Sequence, residues 1–311
     1  MTENTQDNFR CGFVSIIGRP NVGKSTLLNC ILKQKVAIVS KVPQTTRQQI
    51  RGIYNDTRGQ IIFIDTPGLH IPKDALGKRM NLLARDTAQQ ADCLIHVVDA
   101  SEPTGPEEER VVSALKNITA PIILGLNKID LKGKCVDQYI QLWEKTKNVS
   151  IGAITNLTLL PISAKTEFNI EKLLDILFEN LPVGVALYPR EMVSDVPVKL
   201  AIADLIREKL FWSMREEIPH SLAVVIEEMT VKKGKLTSIS AAILVERESQ
   251  KKIVIGKRGE VLKKVGTLAR AEIEKLLSSR IFLTLTVREK KDWRENNSIL
   301  DELGYGFESS V

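Results

Sequence analysis

Along the first 181 residues, short unbroken apolar runs alternate with longer segments in which apolar residues recur every three or four positions. The runs are "CGFVSII", "QIIFID", "CLIHVVDA", "PIILGLN" and "LTLLPIS", nearly continuous in apolar character, as strands buried on both faces are. Between them, "KSTLLNCILK", "ALGKRMNLLARDTAQQ", "EEERVVSALKN" and "NIEKLLDILFENL" carry the helical period. Alternation of this kind predicts a mostly parallel sheet covered by helices. The pair "QQIRGIYND" and "RGQIIFID" reads as a hairpin, which adds one antiparallel strand at an edge.

The pattern then changes. "LPVGVALYPREMVSDVP" contains Pro182, Pro189 and Pro197 and little periodicity, and reads as a linker. Beyond it an amphipathic helix is predicted from about Val198 to Met214, followed by two alternating strands. Leu222, Val224 and Ile226 share a face of the first, and Ile239, Ala241, Ile243 and Val245 a face of the second. "KKIVI" is too short for its period to separate helix from strand. A helix follows from about Glu260 to Leu277, and "IFLTLTV" alternates as a final strand.

At 311 residues, with 43 % hydrophobic and 26 % charged residues, the chain is an ordinary globular composition of two-domain length. Its start, "MTENTQDNFRCGF", has no apolar run, and no other run approaches the roughly 20 residues that cross a bilayer. A soluble, cytoplasmic protein is the expectation. Cys11, Cys30, Cys93 and Cys135 are widely spaced and read as free thiols, and His70, His96 and His220 form no cluster. Charge is unevenly placed: residues 232 to 270 hold eleven basic residues against three acidic ones, a net of +8 where the whole chain carries +6. Such a stretch suits an acidic partner.

Three motifs carry nucleotide chemistry. "GRPNVGKST", comprising Gly18, Arg19, Pro20, Asn21, Val22, Gly23, Lys24, Ser25 and Thr26, joins the first strand to the first helix. In that setting it is a phosphate-binding loop, with Lys24 on the β- and γ-phosphates and the Ser25 hydroxyl on Mg²⁺. "NKID", comprising Asn127, Lys128, Ile129 and Asp130, follows the strand "PIILGL". The Asp130 carboxylate can accept from the ring N–H and exocyclic amine of guanine, whereas adenine would present it a lone pair. That selects GTP. "SAK", comprising Ser163, Ala164 and Lys165, follows the strand "LTLLPI" and, in this order and position, resembles the backbone loop that closes over guanine in GTPases.

Together these motifs resemble the translation-factor-related bacterial GTPases. The resemblance makes Asp65, Thr66, Pro67 and Gly68 the "DTPG" signature, with Asp65 on Mg²⁺ through a water and the Gly68 N–H on the γ-phosphate. It assigns the switch threonine to Thr46, with Thr45 as the alternative. Leu69 stands where a water-orienting glutamine is often found, so the resemblance implies slow hydrolysis with the positive charge coming from elsewhere. In relatives lacking the glutamine, an asparagine at the place of Asn21 helps to hold K⁺ beside the phosphates. The catalytic set implied is therefore Asn21, Lys24, Thr46 and Gly68, the metal set Ser25, Thr46 and Asp65, and the cofactors Mg²⁺ and K⁺.

The second half has its own motif. In "VIGKRGEVLKKVG" two glycines open a helix, with Lys257 and Arg258 at the tip, in the order helix, strand, strand, short element, helix, strand. This resembles a type II KH domain, whose Gly-x-x-Gly loop clamps single-stranded RNA. Ile255, Gly256, Lys257, Arg258, Gly259, Lys263 and Lys264 are the implied RNA contacts. A phosphate-loop GTPase followed by a smaller α+β type II KH domain resembles the Era family of bacterial ribosome-assembly GTPases, over nearly the whole chain, to "LGYG" near its end. On that resemblance residues 1–10 are a tail, 11–181 the GTPase domain, 182–197 a linker, 198–290 the KH domain and 291–311 a second tail. It implies a monomer that binds GTP or GDP and the 3′ end of 16S ribosomal RNA during maturation of the 30S subunit, with some association at the inner membrane surface. A second reading makes the basic domain a dock for a protein or a membrane. A third, tRNA modification with a partner, leaves the KH-like segment unexplained.

Overall fold

The computed structural model of the chain describes residues 8–40, 42–214, 218–232 and 236–305. Lys233 and Lys235 of the basic stretch, and the ends of both expected tails, lie outside them. The described elements begin with β1 (Arg10–Ile17), α1 (Lys24–Leu32), β2 (Ile50–Asp56), β3 (Gly59–Asp65), α2 (Ala75–Gln90) and β4 (Cys93–Asp99). They continue with α3 (Pro106–Leu115), β5 (Ile122–Asn127), α4 (Val136–Lys147), β6 (Leu157–Pro161) and α5 (Ile170–Asn180). The chain divides into two compact units, one of residues 1–37, 46–73 and 77–195, the other of 38–45, 74–76 and 196–311.

In the first unit the strand order is β2-β3-β1-β4-β5-β6. Only the β2–β3 pair is antiparallel, so the expected hairpin does put its outer strand at the edge. Every residue of β3, β4 and β5 is buried, which explains why these strands are apolar without alternation. Burial of side chains such as Ile16, Ile17 and Leu94, all fully enclosed, contributes about 1.5–3 kcal/mol each. α3 begins with Pro106 in its first turn and Glu107, Glu108 and Glu109 beside it, a combination that suits the unpaired N–H groups and positive end of a helix start.

The register sets the site. Ile16 pairs with Asp65 across β1 and β3, and Asp99 with Asn127 across β4 and β5. Four parallel strands thus end at one edge of the sheet, where open α/β sheets bind ligands. The proline-rich stretch is tied to this unit: Ile53 N–H donates to the Val193 carbonyl at 2.8 Å, and Gln60 Oε1 accepts from the Leu187 and Tyr188 N–H groups at 2.8 and 2.9 Å.

The second unit comprises α6 (Val198–Ser213), β7 (Ala223–Lys232), β8 (Leu236–Val245), α7 (Glu248–Ile255), α8 (Glu260–Leu277), β9 (Ile281–Glu289) and α9 (Asn297–Glu302). Its strand order is β7-β8-β9, antiparallel then parallel. The ambiguous "KKIVI" lies in the helix α7. Gln250 closes the start of α7 by accepting from the Glu246 and Arg247 N–H groups, and Val254 anchors it in the core. Residues 293–305 pack back on the same unit, where Trp293 is fully buried and donates its indole N–H to the Ser221 carbonyl at 3.0 Å.

Residues 38–45 belong to this second unit. Ile38 is part of its core, Val39 N–H donates to Glu208 at 2.9 Å, and the Thr45 carbonyl accepts from Arg207 at 3.0 Å. The buried Arg207 is also paired with Asp204 at 2.8 Å and donates to the Tyr305 hydroxyl at 3.0 Å. Arg207 and Tyr305 are 98 positions apart, and no local pattern in the sequence announces the contact.

Candidate functional site

The loop between β1 and α1 brings its residues round the N-terminus of α1, where backbone N–H groups await an anion. Val22 is buried, whereas Asn21 is exposed and left-handed at φ 64°. Thr26 is half-buried in the first turn of α1, and Pro20 lies against Gly68. A Cβ on Gly68 would come within 2.7 Å of the Pro20 nitrogen, so only glycine lets the "DTPG" segment approach the loop this closely. Lys24 is buried and donates to the carbonyls of Gly18 and Arg19 at 3.0 Å each. Burial lowers its pKa to about 8, partly offset by the negative field of Asp65 and Glu108.

At the end of β3, Asp65 faces two hydroxyls. Ser25 donates to its Oδ2 at 2.6 Å and Thr46 at 3.3 Å, and the two hydroxyl oxygens are 3.0 Å apart. The other oxygen, Oδ1, is buried without a hydrogen-bond partner. Burial raises the Asp65 pKa, an effect Lys24 opposes. An orphaned carboxylate oxygen beside two hydroxyls is the donor set of a hard divalent cation, so these residues fit Mg²⁺. Of the two threonine candidates, Thr46 makes this contact. Thr45 instead donates its hydroxyl to the Val42 carbonyl at 2.7 Å.

Thr66 is buried and donates to the Ile16 carbonyl at 3.0 Å, and Pro67 is buried beside it. Leu69 belongs to the core formed with Ile17, Ala84, Leu94 and Val98. It is 3 % exposed and packed away from solvent. His70, which carried no signal in the sequence, is buried and donates Nδ1–H to the Gly68 carbonyl at 2.9 Å, while Asn81 holds the His70 backbone on both sides.

The "NKID" and "SAK" segments converge on the same edge. Asn127 donates to the Val22 carbonyl at 2.8 Å and accepts from Ala164 N–H at 3.0 Å, linking the phosphate loop, β5 and the "SAK" turn. Lys128 donates to the Asn21 carbonyl at 2.9 Å and pairs with Asp99. Ile129 packs against the core, Lys165 is exposed, and Asp130 accepts from the Ser163 hydroxyl at 2.7 Å.

In the second unit, Lys257, Arg258 and Gly259 form a single tight turn between α7 and α8, with Gly256 and Gly259 both at φ 78° and Arg258 at φ 53°. Lys257, Arg258, Lys263 and Lys264 are exposed, and Ile255 is half-buried against the core. The two glycines differ in kind. A Cβ at Gly256 would meet Val261 at 2.4 Å, whereas at Gly259 it would meet nothing within 4 Å. The first is demanded by packing, and the second leaves the backbone open to an incoming chain.

Two family profiles match the chain, one described as a 50S ribosome-binding GTPase over residues 13–128, the other as a KH domain over 217–294. A protein named GTPase Era from Geobacter metallireducens is 44 % identical over 300 residues, covering 96 % of this chain and 98 % of the relative. Among solved structures, Era in complex with MgGDPNP and nucleotides 1506–1542 of 16S ribosomal RNA matches with a TM-score of 0.88 at 36 % identity. An Aquifex aeolicus Era variant bound to GDP·AlF4⁻ matches with a TM-score of 0.87 at 36 % identity. Both matches cover 96 % of this chain and all of the solved one.

Proposed function

Because the chain belongs to the Era family of GTPases, we infer that it is an assembly factor whose GTP cycle governs its hold on the 3′ end of 16S ribosomal RNA in the nascent 30S subunit. It hydrolyses GTP to GDP and phosphate with Mg²⁺ as cofactor. The observation that carries the reading is the pairing, in one chain, of the Ser25–Asp65–Thr46 cluster with an exposed, cationic Gly-x-x-Gly turn. Neither serves the other's chemistry.

In this reading residues 11–181 handle the nucleotide, 198–290 the RNA, and 182–197 join them. Lys24 holds the terminal phosphates and the Gly68 N–H senses the γ-phosphate. Asp130 and the "SAK" residues Ser163, Ala164 and Lys165 recognise guanine. Ser25, Thr46 and Asp65 are the residues that would hold Mg²⁺, which when bound neutralises phosphate charge as the leaving group departs. Ile255, Gly256, Lys257, Arg258 and Gly259 admit the RNA backbone, with Lys263 and Lys264 on the adjoining exposed turn of α8.

With Leu69 buried in the core, turnover is slow, and Asn21 is the residue that would help to hold a K⁺ ion, which when bound would supply the extra positive charge. Asn21 is exposed in the phosphate loop, with a left-handed backbone at φ 64°. Turnover should be faster in K⁺ than in Na⁺, and Asn21→Ala should remove the difference; equal rates in the two salts would end this part of the reading.

Nucleotide state and RNA affinity are linked, and the linkage is reciprocal. Filter binding of an oligonucleotide carrying the 3′ end of 16S ribosomal RNA, with a GTP analogue and with GDP, tests the whole. Tighter binding with the analogue is expected. Identical affinities in the two states would refute the linkage, and wild-type affinity in Gly259→Asp would refute the assignment of the turn.

A further inference from the structure

Beneath the phosphate loop lies a buried acid that the chemistry above leaves unused. Glu108 stands in the first turn of α3 and is fully buried, unlike its neighbours Glu107 and Glu109. One of its carboxylate oxygens accepts a hydrogen bond from His96 Nε2 at 2.7 Å, and the other forms an ion pair with Arg19 Nε at 3.3 Å that lacks hydrogen-bond geometry. His96, on β4, is also fully buried and has its ring against Trp143, 5.8 Å between centroids. Its Nδ1 makes no hydrogen bond, which fits a ring whose one proton sits on Nε2 and points at the carboxylate.

A carboxylate enclosed to this degree is costly unless both oxygens are paired, and an opposite charge held this way has little freedom. The helix start adds a further favourable field. Arg19 is thus held electrostatically through its side chain. Its own carbonyl, with that of Gly18, receives the Lys24 ammonium at 3.0 Å.

We propose that Glu108 is a positioning residue for GTP hydrolysis: oriented by His96, it grips Arg19 and so fixes the Gly18–Arg19 stretch against which Lys24 is held. It touches no phosphate itself. Its negative field also favours the charged form of Lys24, so geometry and electrostatics act in the same sense. The inference rests on the placement of the terminal phosphates at Lys24 given above.

The test is steady-state GTP hydrolysis by the full chain, with Glu108→Gln, Arg19→Gln and the double variant, each with its melting temperature. Each single variant should lower kcat by roughly tenfold to a hundredfold, the range a small misplacement of a catalytic group produces, with KM changed by less than about threefold. The double variant should be no slower than the slower single, because the two residues act as one unit. His96→Phe, which keeps a ring against Trp143 but removes the donor, should show an intermediate loss, and Glu109→Gln should match the wild type. A kcat for Glu108→Gln within about twofold of wild type would overturn the proposal. So would losses that multiply in the double variant, a loss confined to KM, or a loss equal to the unfolded fraction at the assay temperature. If Glu108→Gln does not fold, Arg19→Gln carries the same criterion from the loop side. Lys24→Ala tests the phosphate placement separately: wild-type GDP affinity there would refute that placement, whatever Glu108 does.

Discussion

Ser25 donates its hydroxyl hydrogen to Asp65 Oδ2 at 2.6 Å, with Thr46 reaching the same oxygen at 3.3 Å. A serine from the start of one helix and an aspartate from the end of a strand are thus set around one point. Asp65→Asn keeps the shape of the site and removes its charge, and should abolish the Mg²⁺-dependent gain in GTP affinity, measured with a fluorescent analogue in Mg²⁺ and in chelator. Burial raises the Asp65 pKa, so on acidification its carboxylate takes up a proton earlier than an exposed one. Mg²⁺ must then displace that proton, and metal affinity should fall as pH is lowered. A flat profile across the acidic range would show that Asp65 is not the ligand.

Lys24 titrates in the opposite sense. Burial lowers its pKa to about 8, and phosphates placed against it favour the ammonium. Below pH 8 the free protein already carries the charge, and above it binding must draw in a proton. Nucleotide affinity should therefore weaken as pH rises past 8. Calorimetry near pH 8 in buffers of differing ionisation enthalpy should detect uptake of roughly half a proton per GDP, and Lys24→Arg should eliminate it.

The two glycines of the turn between α7 and α8 should separate folding from binding. Gly259→Asp adds a side chain to open space, at a backbone cost on the order of 1 kcal/mol for a left-handed residue. It should fold, melt within a few degrees of wild type, and lose RNA affinity by about tenfold or more as a carboxylate meets phosphate. Gly256→Ala drives a Cβ to 2.4 Å from Val261, and should destabilise the second unit by roughly 2–3 kcal/mol. Denaturant melts followed by filter binding distinguish them.

Leu69→Gln should not make a faster enzyme. The position is 3 % exposed and packed among apolar side chains, so an amide there costs about 2–4 kcal/mol in lost packing and unpaired polar groups. A lower melting temperature with kcat unchanged or reduced is the expected result. An increase in kcat would mean that residue 69 can reach the attacking water after all.

Much of the molecule could be read along the chain because its information is local. Continuous apolar runs mark β3, β4 and β5 because both faces of those strands are covered, and "GRPNVGKST", "NKID" and "SAK" fall at strand ends because binding loops must. The turn at Gly256 to Gly259 was legible for the same reason, since two glycines at that spacing ahead of a helical period mark a tight turn, although only the structure shows that Gly256 is required by packing and Gly259 is open. Side-chain partnerships across long separations were not legible. Nothing local distinguishes Thr46 from Thr45, and only the fold shows Thr46 against Asp65 and Thr45 turned back to Val42. Leu69 could be read as a missing glutamine, yet its burial in the core depends on α2 and β4.

The buried group of Arg19, Glu108 and His96 is the clearest case. As sequence, Glu108 is one of three glutamates at a helix start, and such residues usually serve the helix alone. Which of them turns inward depends on how α3 lies across β4 and beneath the phosphate loop, a matter of packing rather than of neighbours in sequence. Composition, period and spacing therefore determined the kinds of chemistry this chain carries and the loops that carry it. The tertiary structure decided which atoms meet, because a hydrogen bond or an ion pair is set by distances of a few ångströms between residues that the sequence holds tens of positions apart.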